Sequence, residues 1–66
     1  MRNLTNSMLD NMIGANIDGV IESFRIYSNV IGWAFDDDDD LIIETNKTEY
    51  ILGITDNCIT FWINRF

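Results

Sequence analysis

At 66 residues the chain has room for one small domain, and a domain of that size buries only about 60% of its unfolded surface. A single cysteine, Cys58, excludes an internal disulfide, and the lack of histidine removes both imidazole acid–base chemistry and the usual structural zinc sets. Eleven acidic residues against Arg2, Arg25, Lys47 and Arg65 give a net charge of −7, which argues against direct contact with nucleic acid or an anionic membrane, where a basic face is needed.

Residues 7–13 predict a short helix. Ser7 is the expected N-cap with Asp10 three residues on, Leu4, Met8, Leu9, Met12 and Ile13 share a face, and Gly14 can turn to positive φ at the end. So short a helix is not stable alone in water and must dock on the rest of the chain. Residues 20–27 read as a strand, with Phe24 and Ile26 alternating against Ser23 and Arg25. Ser28-Asn29 marks a turn. Residues 30–35 are apolar on both faces, Ile31, Trp33 and Phe35 forming the bulkier one, the pattern of a central strand or of an interface.

Five consecutive carboxylates follow: Asp36, Asp37, Asp38, Asp39 and Asp40. They repel one another, suit neither helix nor strand, and cannot be buried unpaired, so they predict a solvated loop. Beyond them Leu41 to Thr45 is a strand, Asn46-Lys47 a two-residue hairpin turn, residues 48–54 a strand with Tyr50, Leu52 and Ile54 on one face, and Asp56-Asn57 a second turn. The last strand, residues 58–65, sets Ile59, Phe61 and Ile63 against Cys58, Thr60, Trp62 and Asn64. The expected fold is a single α+β domain: one short N-terminal helix packed on an antiparallel sheet of about five strands arranged as a meander. On the second face of that sheet Ile42, Ile51 and Trp62 fall close together, which marks either a self-association surface or, in a strongly twisted small sheet, further core. With no disulfide or metal to reinforce a small core, a homodimer is expected.

The aspartate run invites three chemical readings. An EF-hand loop beginning at Asp36 places oxygens at Asp38 and Asp40, but it requires glycine and glutamate where Leu41 and Lys47 stand, so the motif fails. Mimicry of duplex DNA is partial at best, because five charges match about 8–9 Å of a duplex carrying one charge per about 1.7 Å. Steering toward a basic protein surface needs only the charge itself. Catalysis has no support: there is no nucleophile–base set, Cys58 reads as a small hydrophobe, and five solvated aspartates lack the separated pKa values that acid–base work requires. Stacking of single-stranded nucleic acid on the aromatics lacks the positive groove it needs. No cofactor is implied.

No stretch is long and apolar enough to span a membrane, and the first residues lack a signal-peptide core, which with a lone thiol fits the cytoplasm. The sequons at Asn3 and Asn46 have no meaning without secretion. Eleven isoleucines and eight asparagines beside two alanines and no proline suggest an AT-rich genome such as that of many phages. The segments Met12-Ile13-Gly14-Ala15-Asn16-Ile17, Leu41-Ile42-Ile43-Glu44-Thr45 and Asp56-Asn57-Cys58 together resemble a group of small uncharacterised phage and bacterial β-rich domains, with one cysteine at the last turn where some carry two. The resemblance implies a phage or mobile-element setting and assigns no activity.

The sequence thus predicts a small acidic accessory protein that binds and inhibits a host protein with a basic surface, with Asp36 to Asp40 steering and Trp33 and Trp62 as anchors. The alternatives are a self-assembling structural module whose acidic loop confers solubility, and an immunity protein against a basic toxin.

Overall fold

The computed structural model describes residues 4–65; Met1, Arg2, Asn3 and Phe66 lie outside them. Two helices precede four strands: α1 (Asn6–Asn11), α2 (Ile17–Tyr27), β1 (Val30–Phe35), β2 (Leu41–Thr45), β3 (Glu49–Thr55) and β4 (Cys58–Arg65). The strands form one antiparallel sheet in the order β1-β2-β3-β4, so the meander extends to the whole sheet. The class is α+β, with four strands rather than five and two helices rather than one.

The missing strand is α2. The alternation over residues 23–26 covers only four positions, whereas Ile17, Val20, Ile21 and Phe24 keep the i, i+3, i+4, i+7 spacing of a helical stripe over two turns. Asn16 starts the helix, its Oδ1 accepting from the Asp18 N–H at 2.9 Å. Val20 and Phe24 are fully buried, while Ile26, which a strand would have placed beside Phe24, is 66% exposed. In α1 the cap is Thr5 rather than Ser7: its Oγ1 accepts from the Met8 N–H at 3.2 Å. Asp10 does not close a capping box. It accepts a hydrogen bond from Trp62 instead. Gly14 does take the left-handed conformation, at φ 91°.

Residues opposite one another in the register share a face. One face carries Leu41 and Ile43 of β2, Tyr50, Leu52 and Ile54 of β3, and Ile59 and Trp62 of β4. Leu41, Ile43, Leu52 and Ile59 join Leu9, Val20 and Phe24 in a single core cluster, and the Phe24 ring meets Tyr50 edge-on at 5.2 Å. The α1–α2 connector is tied to the start of β4: the Gly14 N–H donates to the Ile59 C=O at 2.7 Å, and the Ile59 N–H to the Ala15 C=O at 2.9 Å. The Ile17 N–H donates to the Asn57 C=O at 2.9 Å.

Local chemistry sets the hairpins. Asp56 and Asn57 both have positive φ (53° and 63°), the signature of a type I′ two-residue turn. The Asn46-Lys47 turn is also two residues, but neither takes positive φ. Thr45 holds it instead. Its buried Oγ1 donates to the Thr48 C=O at 2.8 Å and accepts from the Lys47 and Thr48 N–H groups. In β4 the register slips between its pairings with Gly53 and Ile54. That bulge breaks the alternation expected for residues 58–65: Ile59 faces the core, yet Phe61 and Ile63 face the other way and Trp62 turns inward.

Candidate functional site

The aspartates form an ordered three-residue hairpin loop between β1 and β2. The Asp36 N–H donates to the Asp40 C=O at 3.0 Å, and the Asp39 N–H to the Asp36 C=O at 3.1 Å, with Asp39 in the left-handed region at φ 63°. This is a type I turn followed by a left-handed residue, the usual three-residue hairpin geometry. Asp36 is its keystone: one carboxylate oxygen accepts from the N–H groups of both Asp38 and Asp40, each at 2.9 Å. Asp37, Asp38 and Asp39 are exposed and Asp36 and Asp40 half-buried, so the run is a wet charged tip as its composition requires. Carboxylate oxygens of Asp36, Asp38 and Asp40 lie within 4.8 Å of one another. The Asp40 carboxyl titrates above its ordinary range, first through partial desolvation and then through repulsion by Asp36, Asp38 and Asp39. The loop concentrates negative charge in a small, largely solvated volume.

Strand β1 leads straight into this tip. It is an edge strand, so of the two readings its apolar faces allowed, a central strand or an interface, the first is excluded. Ile31, Trp33 and Phe35 are exposed, at 65%, 46% and 49%, and the Trp33 and Phe35 rings meet edge-to-face with centroids 6.1 Å apart. The bond between Asp36 and Asp40 makes theirs a hydrogen-bonded pair. By alternation Ala34 also bonds toward β2, and Trp33 and Phe35 turn their N–H and C=O groups to the open edge. An edge-to-face aromatic pair, outward-facing backbone groups and a cluster of carboxylates therefore adjoin one another.

Trp62 is not part of this arrangement. It sits on β4, at the opposite edge of the sheet, paired with Leu52 on the core face and half-buried, its Nε1–H donating to Asp10 Oδ1 at 2.9 Å. It lies away from the Trp33 and Phe35 pair, and it is absent from the patch with Ile42 and Ile51. Those two do pair across β2 and β3 on the face away from the core cluster. The bulge in β4 replaces Trp62 there by Ile63, and Ala34 completes a row across all four strands: Ala34, Ile42, Ile51, Ile63. Two residues along, a second row reads Gly32, Glu44, Glu49, Arg65, with Arg65 Nη1 4.0 Å from Glu49 Oε1. Phe61 lies over Gly53 on the same face, so closely that a Cβ on Gly53 would run into its ring. Sequence reasoning missed Ala34, Phe61 and Ile63 because a bulge has no residue signature of its own; Gly53 within a strand was the one available signal.

Cys58 is a half-buried free thiol at the start of β4. Among the described residues no helix is long and apolar enough to cross a membrane. Comparison with known protein families, with curated proteins and with solved structures finds no match for this chain.

Proposed function

We propose that this chain is a small acidic accessory protein, of phage type and acting in the cytoplasm, that binds a host protein with a basic surface and inhibits it. The partner would be a defence or nucleic-acid-acting protein. The observation that carries the reading is the continuity of an exposed aromatic pair, Trp33 and Phe35, with the carboxylate tip of residues 36–40. Charge and anchor then adjoin, as hot spots need: long-range attraction accelerates encounter, and a rigid aromatic contact holds the complex. Extended DNA mimicry is less well supported than steering, because the five aspartates are gathered in one turn rather than spread along a surface.

Capture of partners from host lysate at low salt tests the reading with three proteins. Wild type retains a basic host protein, and retention falls as salt rises. Replacing all five aspartates with asparagine abolishes capture, and Trp33→Ala weakens it at least tenfold without changing its salt slope. No captured protein at low salt, or equal capture by the all-asparagine variant, overturns it.

A further inference from the structure

We infer that the face of the sheet opposite the core cluster is a docking surface for a second copy of this chain. This goes beyond the binding of a basic partner and stands on different residues. The face carries a continuous apolar row, Ala34, Ile42, Ile51 and Ile63, plus Phe61, and Phe61 and Ile63 are 43% and 51% exposed. It also holds few of the chain's charges: Glu44, Glu49 and Arg65. The remaining acidic residues lie on helices and turns, at Asp10, Asp18, Glu22, residues 36–40 and Asp56. The net charge of −7 therefore bears weakly on this one surface.

What selects a second copy is the gradient of side-chain size across the strands. On β1 the two rows begin with Ala34 and Gly32, and nothing lies within 4 Å of the place where a Gly32 Cβ would stand. On β4 the same rows end with Ile63 and Arg65. A two-fold axis parallel to the strands lays β4 of one copy over β1 of the other while keeping each row in line. Ile63 of one copy then covers Ala34 of the other, Ile42 meets Ile51, and Arg65 fills the space above Gly32, beside Glu44. Large lies on small, and the cation lies next to a carboxylate, twice per dimer. The stacking is the aligned sheet-on-sheet kind, with about 10 Å between sheets.

The area is adequate for such a pair. Four strands about 4.8 Å apart, with residues rising about 3.4 Å each, give a face of roughly 400 Å² in projection, and standing side chains add to it. Two faces together come near the lower end of specific interfaces, the range of weak association. The acidic remainder of each copy is repelled by the other. Added salt therefore tightens the dimer, the opposite of its effect on capture of a basic partner, so failure of one proposal is distinguishable from failure of the other.

Sedimentation equilibrium of the full chain tests the inference. Wild type reaches twice the 7.7 kDa chain mass in the micromolar range, at lower concentration in higher salt. Ile51→Glu, at the centre of the row, stays monomeric at concentrations a hundredfold higher. Arg65→Glu also dissociates, and the double variant Glu44→Arg with Arg65→Glu recovers at least tenfold of the lost affinity. Circular dichroism confirms that each variant is folded, and the rescue does not depend on Ile51. A wild-type chain that is monomeric at about 1 mM overturns the inference and leaves the face to a different protein. Dimerisation that ignores these changes but is lost in Trp33→Glu places the contact at the β1 edge and overturns it as well.

Discussion

Each face of the sheet carries a set of large apolar side chains, beside the charged row of Glu44, Glu49 and Arg65 on the open one, and the two apolar sets differ in exposure. Ile43 and Ile59 on one face are buried with Leu41, Leu52 and Phe24, whereas Ile63 and Phe61 on the other are about half exposed. Hydrophobicity does not separate them. The separation comes from the helices, whose Leu9, Val20 and Phe24 enter the core cluster with only one face. In a chain this short the second apolar face is surplus to the core, which is why we propose it as an association surface.

Phe24→Ala sharpens this contrast most. Removing a fully buried ring costs about 3–5 kcal/mol, a large part of the stability of a domain this small, and urea denaturation reads it as a strongly lowered midpoint. Ile63→Thr on the open face changes the monomer's stability by no more than about 0.5 kcal/mol. Equal losses at the two positions would break the comparison.

Gly53→Ala comes next. The added methyl displaces the Phe61 ring and costs about 1–3 kcal/mol, and the Phe61 ring resonances move by nuclear magnetic resonance. Trp62→Phe keeps the inward ring but loses the bond to Asp10, for about 1 kcal/mol, and hydrogen exchange should quicken in α1 before the sheet. An unchanged α1 would show that Trp62 contributes packing alone.

The smallest effects lie in the turns, and the one at Asp40 depends on pH. Asp40 binds its proton more tightly folded than unfolded, since burial and the charges of Asp36, Asp38 and Asp39 oppose its ionised form. The sign is therefore the reverse of a salt-bridged aspartate: its contribution destabilises above the raised folded-state pKa and fades as pH falls through that pKa toward the ordinary carboxylate range. Asp40→Asn is more stable than wild type at neutral pH, and the difference closes on acidification. Asn57→Gly, at a position already at φ 63°, adds a few tenths to about 1 kcal/mol to the thermal stability at any pH.

The strands were legible because strong local signals agreed there. Alternation marked Leu41–Thr45 and Glu49–Thr55, Asp56-Asn57 is a turn by its own φ preferences, and five adjacent aspartates have nowhere to go but solvent. The helix α2 was hidden by its composition, since isoleucine, valine and phenylalanine favour strands and Gly19 lowers helix propensity; tertiary burial of Val20 and Phe24 outweighs both. The open face was half legible. Ile42 and Ile51 are neighbours as their spacing required, but one extra residue in β4 exchanged Trp62 for Ile63, and only the register reveals that exchange.

The proposed interface on the open face sets it apart from the core. Isoleucine methyl groups report this directly when a soluble paramagnetic probe is added at two protein concentrations. At high concentration Ile42, Ile51 and Ile63 should be shielded nearly as well as Ile43 and Ile59, while Ile26 and Ile31 relax as exposed methyls; on dilution below the dissociation constant the first three should join the exposed group. Ile42, Ile51 and Ile63 relaxing like Ile26 at every concentration would contradict the account.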